Sequence, residues 1–177
     1  MSATRMMLAG FGGQGILFAG KLLAYAGMLA NKNVSWLPSY GPEMRGGTAN
    51  CAVIVSDEEI GSPLVPAPDV LLALNLPSFE KFEPAVEAGG LIVFDSSLIP
   101  QTSQRTDVTV CAVNATSMAS DEGLNGLANM IMIGKFLRAS GLFDLDTVFR
   151  ALEKCVPPSK AALLETNKQA ISLGYNA

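Results

Sequence analysis

Histidine is absent from this 177-residue sequence, and that one absence removes a great deal of chemistry. Without an imidazole neither a Ser-His nor a Cys-His pair can form, and no histidine can ligate a metal. Cysteine is scarce as well. Cys51, Cys111 and Cys155 lie far apart with no CxxC between them, which excludes a ferredoxin-like iron–sulfur run and a disulfide framework. An odd number of thiols without a signal peptide predicts a cytoplasmic protein. No apolar run reaches the ~18 residues of a membrane span. Basic residues number 12 against 16 acids, for a formal charge of −4 and a pI near 4.8, which is not the basic footprint of a nucleic-acid binder. Charge as a whole is thin, at 16 %, beside 49 % hydrophobic residues. That composition supports a sizeable core and argues against disorder. The length suits a single domain over residues 1–177. If such a chain serves redox or acid–base chemistry, it does so with catalytic groups supplied from elsewhere.

What is present is unevenly placed. Residues 1–56 carry Arg5, Lys21, Lys32 and Arg45 against Glu43 alone, while residues 57–122 carry eleven acids against Lys81 and Arg105. The mildly basic first third also holds most of the glycine-rich sequence. Met6-Met7-Leu8-Ala9 reads as a buried strand ending at Gly10. Residues 16–30 read as a helix apolar almost all round, which must be covered on more than one side. Val34–Pro38 and Ala49–Val55 read as strands, the latter paired with Ile60-Gly61 across an Asp57-Glu58-Glu59 turn. Further strands are expected at 69–74, 91–95 and 108–113, with a helix at 77–87 capped by Asn75 or Ser78. The last third reads as three helices, over 124–140, 145–155 and 160–173, with Asp144 capping the middle one. The predicted architecture is α/β: a three-layer, Rossmann-like, mostly parallel sheet with a helical C-terminal third.

Two loops carry the functional signal. Gly10-Phe11-Gly12-Gly13-Gln14-Gly15 matches GxGxxG between a strand and a helix, where glycines permit a tight turn and let backbone N–H groups approach a phosphate. The acid that a dinucleotide site needs ~20 residues later, for the ribose hydroxyl, is missing, since that position falls at Trp36–Ser39. Three readings stay open for the turn: close strand–helix packing, dinucleotide binding, or contact with an anion or partner, for which the Gln14 amide is well suited. The second loop is Ser39-Tyr40-Gly41-Pro42-Glu43-Met44-Arg45-Gly46-Gly47-Thr48. Its glycines and proline make turns, and Arg45 is suited to a phosphate or carboxylate. An internal Glu43–Arg45 pair in an ordinary surface loop is the plainer alternative.

Taken together with Ile54-Val55-Ser56-Asp57 and Ile60-Gly61-Ser62-Pro63, these two loops resemble the gamma subunit of 2-oxoacid:ferredoxin oxidoreductases over nearly the whole chain. Glu43-Met44-Arg45-Gly46-Gly47-Thr48-Ala49-Asn50 is closer to the 2-oxoglutarate and branched-chain forms than to the pyruvate form. The resemblance implies a complex that decarboxylates a 2-oxoacid on thiamine diphosphate and Mg, sends electrons through iron–sulfur clusters to ferredoxin, and delivers the acyl group to coenzyme A. It implies alpha and beta partners, with a small ferredoxin-like delta subunit in some forms. It places no cofactor on this chain alone. Under it, Gly10, Gly12, Gly13, Gln14, Gly15, Ser39, Tyr40, Gly41, Pro42, Glu43, Arg45, Gly46, Gly47 and Thr48 are the candidate cofactor or partner contacts, and no residue is catalytic. A free-standing dinucleotide-binding module is the competing reading.

Three lesser expectations complete the analysis. Met130-Ile131-Met132-Ile133 with Phe136-Leu137 surround more than one helical face, which suits a subunit interface or, equally, burial in the chain's own core. Asp95 ends a strand as a ligand group or as a cap for the following turn. Cys51 is expected to be a buried apolar residue, because no base can be named for it.

Overall fold

The computed structural model describes residues 3–39 and 48–177. Its described elements run β1 (Ala3–Phe11), α1 (Ile16–Leu29), β2 (Asn33–Ser39), β3 (Thr48–Ser56), β4 (Val70–Ala73), α2 (Leu76–Phe82), β5 (Leu91–Asp95), β6 (Thr109–Val113), α3 (Ala115–Asp121), α4 (Ala128–Ser140), α5 (Leu145–Cys155) and α6 (Ala162–Asn176). The six strands lie in the order β2-β3-β1-β4-β5-β6. β1, β4, β5 and β6 are parallel neighbours, whereas β3 runs antiparallel to both β1 and β2. The α/β, mostly parallel expectation therefore holds, with a local reversal at one side.

That reversal corrects one expected pairing. Residues 49–55 do not form a hairpin with Ile60-Gly61; β3 instead pairs with β2, from Ser39 opposite Asn50 to Asn33 opposite Ser56. The segment after β3 holds Pro63, Pro66 and Pro68, which supply no backbone donors for a ladder. Val65 still serves the core, buried at the second face of the sheet.

The two faces are covered unequally. One packs Met6, Leu8, Cys51, Val53, Leu72 and Val93 against α1, α3, α4 and α5. The other packs Met7, Ile54, Leu71, Ile92 and Phe94 against Phe79 of α2 and against Val65 and Ile99. α1 is as thoroughly enclosed as its composition requires: it lies on β3 and β2 with α5 and α4 beyond it, burying Leu22, Leu23 and Ala26 completely.

α4 settles the apolar helix. Met130, Ile131, Met132, Ile133, Phe136 and Leu137 are all 0–1 % exposed, inside this chain's own core, so they offer no surface to another subunit. α6 is what covers them. A Cβ on Gly134 would lie 2.0 Å from the Ile171 carbonyl oxygen, and one on Gly174 would lie 1.9 Å from that of Ile131. The two backbones therefore meet directly, at a crossing only glycine permits. The helix starts at Ala128 rather than at 124, because Gly126 has φ 84°. α3, which sequence periodicity did not indicate, precedes it. The caps fall where expected: Asn75 Oδ1 accepts from Ser78 N–H at 2.9 Å, and Asp144 Oδ1 accepts from Thr147 N–H at 2.7 Å.

Candidate functional site

The sheet register brings the two sequence loops to one edge. Phe11 lies opposite Thr48 and Gly10 opposite Ala49, while Ser39 lies opposite Asn50, which itself faces Ala9. The glycine turn, the end of β2 and the start of β3 thus converge at the carboxyl end of β1. Tyr40, Gly41, Pro42, Glu43, Arg45, Gly46 and Gly47, with Met44, lie outside the described residues. Both strands flanking them end at this edge.

The turn itself is tied down. Gln14 N–H donates to Phe11 O at 3.2 Å, and Gln14 Oε1 accepts from Phe11 N–H at 2.7 Å. The other end of the same amide, Nε2, donates to Leu74 O at 3.0 Å, where β4 ends. The side chain expected to suit a ligand therefore closes the turn on itself and bolts it to the neighbouring strand. Gly13 has φ 94° and Gly15 has φ 71°, a region that L side chains enter at a cost of ~1–2 kcal/mol. Gly10 meets a different demand, since a Cβ there would come within 2.5 Å of Gln14 Oε1 and 2.8 Å of Ile16 Cδ1. Close packing is thus one real function of these glycines. It leaves the tip outward: Phe11 is 45 % exposed, and Gly12 and Gly13 are exposed beside it.

α1 begins at this turn on a residue with no capping side chain, Gly15. A polar side chain does reach this residue's carbonyl, from 114 positions away: Asn129 Nδ2 donates to Gly15 O at 3.1 Å, beside the helical bond from Ala19 N–H, while its Oδ1 accepts from Met130 N–H at 2.9 Å. Sequence reasoning did not single out Asn129. The signal available was a lone amide inside the apolar run Leu127-Ala128-Asn129-Met130-Ile131.

Other polar groups on this edge have structural partners. Asp95, fully buried, accepts from Ser97 N–H and from both the N–H and hydroxyl of Thr116. It caps the following turn and the start of α3, as the capping reading expected. The three thiols are on β3, β6 and α5. Burial pushes the Cys51 thiol up to about 12, so it stays protonated at neutral pH, and burial raises Cys155 too. Among the described residues no group of three or more His, Cys, Asp or Glu could hold a metal ion, and the dispersed thiols do not fit an iron–sulfur cluster.

A cavity of about 610 Å³ opens at the opposite edge, lined by Thr4, Asp57, Asp69, Glu87, Gly90 and Ser140 among others. Two of its acids are paired. Asp69 takes a bidentate pair from Arg5, at 3.1 and 2.9 Å, and Asp57 is paired with Lys32. It contains none of the candidate residues. Among the described residues no helix is long and apolar enough to cross a membrane.

A family model described as pyruvate ferredoxin/flavodoxin oxidoreductase matches residues 5–177. The chain belongs to this family. It is 36 % identical to the 2-oxoglutarate synthase subunit KorC of Methanocaldococcus jannaschii, an alignment covering 95 % of this chain and 90 % of that one. It is 40 % identical to the ketoisovalerate oxidoreductase subunit VorA of Methanothermobacter thermautotrophicus over 96 % of this chain, but spans only 35 % of that relative's length. The crystal structure of a keto/oxoacid ferredoxin oxidoreductase gamma subunit from Geobacter sulfurreducens superposes with a TM-score of 0.87 at 26 % identity, covering 99 % of this chain and 96 % of that one. Within the pyruvate ferredoxin/flavodoxin oxidoreductase family the chain is thus of the gamma type.

Membership overturns the free-standing dinucleotide module, and the topology gives the physical reason. In a dinucleotide fold the strand after the glycine turn and helix lies beside the first and offers its acid there. Here antiparallel β3 stands between β1 and β2, so the end of β2 sits two strands away and carries Ser39 in place of an acid.

Proposed function

We propose that residues 1–177 act as one unit, the gamma component of a multi-subunit 2-oxoacid:ferredoxin oxidoreductase. The substrate is 2-oxoglutarate in this reading, with a branched-chain 2-oxoacid second. The unit works with alpha and beta subunits, joined in some forms by a small delta subunit, in the cytoplasm. Thiamine diphosphate, Mg and the iron–sulfur clusters belong to those partners, and ferredoxin is the acceptor. When bound in the assembled enzyme, these groups supply decarboxylation, electron transfer and acyl transfer to coenzyme A. What this chain contributes is binding and enclosure: Gly10–Gly15, Ser39 and Thr48, with residues 40–47 between them, meet coenzyme A or a partner at the carboxyl edge of the sheet.

The observation that carries this reading is the convergence of both loops' described residues on one edge, in a chain so similar to KorC along nearly its whole length. Phe11 offers an exposed ring and Gly12-Gly13 an unobstructed backbone, which suit the base and phosphates of coenzyme A. Affinity isolation of the tagged chain from its native source tests the assembly. Co-purifying larger subunits, bound thiamine and iron, and 2-oxoglutarate- and coenzyme A-dependent dye reduction are expected, with a higher kcat/KM for 2-oxoglutarate than for 2-ketoisovalerate. Comparable turnover by the purified chain alone would overturn the proposal. Arg45→Ala in the complex tests the loop, and the expected result is a raised KM for coenzyme A.

A further inference from the structure

We infer that Asn129 is the positioning residue of the glycine turn: a buried amide on α4 that holds the turn in its presenting conformation before any ligand or partner arrives. The side chain is 6 % exposed and both of its polar atoms are used. Nδ2 donates to Gly15 O, and Oδ1 accepts from the N–H of its own neighbour Met130, which fixes the amide plane and leaves Nδ2 aimed at the turn. The contact admits no slack. A Cβ on Gly15 would sit 2.3 Å from Asn129 Nδ2 and 3.1 Å from its Cγ, so the two residues are in direct contact where any other residue would separate them.

The geometry explains why the clamp is needed. Gly15 has the left-handed φ that ends the turn and contributes no side chain to cap α1. A glycine turn left to itself gains backbone freedom and loses definition. Gln14 restrains it from within, through Phe11 N–H and Leu74 O. Asn129 restrains it from behind, through the Gly15 carbonyl. The neighbouring residues Met130–Ile133 are wholly buried between sheet and α6, so the donor is mounted on a helix enclosed by the core. A turn held from two sides presents Phe11 and the Gly12-Gly13 backbone without an ordering cost on binding. The consequence for coenzyme A rests on the function proposed above; the clamp does not.

The experiment has two parts that separate these. In the isolated chain, Asn129→Ala and Asn129→Asp are compared with wild type by amide hydrogen exchange. Asn129→Asp keeps the side-chain size and the acceptor toward Met130 N–H while removing the donor to Gly15. Both variants are expected to exchange the Phe11 and Gln14 amides at least tenfold faster, with β5 and β6 unchanged. Unchanged exchange at the turn in both variants overturns the inference. So does uniformly raised exchange across the chain, which would assign Asn129 to core stability. In the reconstituted complex, the same variants are expected to raise KM for coenzyme A five- to twentyfold, with kcat and KM for the oxoacid within twofold of wild type. Faster turn exchange with an unmoved coenzyme A KM would leave the clamp standing and remove coenzyme A from the turn.

Discussion

The glycine turn and the α4–α6 crossing both depend on glycine, for opposite reasons. At the turn, Gly13 and Gly15 adopt left-handed φ values, and a Cβ on Gly13 would meet nothing within 4 Å. At the crossing, Gly134 and Gly174 are ordinary helical residues, but a Cβ on either would stand about 2 Å from a carbonyl oxygen of the facing helix. One pair of glycines is chosen for a conformation and the other for an absence of volume. Conformation matters where backbone is shown to the outside, and missing volume matters where two backbones must touch. Gly15 belongs to both classes, with a left-handed φ and Asn129 pressed against it.

The comparison predicts an order of damage. Gly174→Ala or Gly134→Ala forces two helices apart in a region with no free space. Overpacking of this kind costs about 3 kcal/mol, which for a chain of this size lowers the melting temperature by roughly 6–12 °C. Scanning calorimetry of either variant checks it, and a melting temperature within 2 °C of wild type would mean that the helices do not cross where the structure puts them. Gly15→Ala comes next at about 2 kcal/mol, from backbone strain plus the collision with Asn129. Gly13→Ala carries the strain alone and is expected near 1 kcal/mol. The sharper measurement is a double-mutant cycle: combining Gly15→Ala with Asn129→Ala removes the collision, so the double variant should lose less than the sum of the two single losses. Strict additivity would show that Gly15 and Asn129 are not in contact.

The same contrast shows what the sequence could reveal. The turn was legible because its chemistry is local: a strand, GxGxxG and a helix stand in order within some twenty residues, and glycine has few other reasons to recur at that spacing. The crossing was not. Gly134 and Gly174 each sit singly in a helical stretch, and only the fold shows that they face one another. The apolar run of α4 was conspicuous for the same reason it was ambiguous, because a helix apolar on every side must be covered without saying by what. It is covered by the chain's own α6. β3 was read correctly as a strand and given the wrong neighbour, since its true partner lies across residues 40–47 and alternation of side chains does not encode pairing. Asn129 had only the weakest signal, one amide in an apolar run, and its meaning depends on a contact 114 residues away. Local motifs therefore identified the candidate edge, and non-local contacts decided how that edge is held.

The smallest expected effect separates two ways of starting a helix. α1 starts on Gly15 and is steadied by the neutral amide of Asn129; α5 starts on Asp144, whose carboxylate accepts from Thr147 N–H. That hydrogen bond holds the Asp144 carboxyl below its ordinary value of 3.8. A group with a depressed folded value contributes stability that is fully present above the ordinary value and is lost as pH falls through the depressed one, because the unfolded chain takes up the proton first. Acidification below about pH 3.8 should thus loosen the first turn of α5 while leaving the Asn129 contact uncharged and intact. Amide exchange compared at pH 5 and pH 3, corrected for the intrinsic rate, should show protection falling at Thr147 and Val148 with little change at Phe11 and Gln14. In Asp144→Asn, which keeps an acceptor and cannot titrate, the Thr147 difference should vanish. Persistence of the pH effect in that variant would assign it to another carboxylate, because the cap itself would then carry no charge to lose.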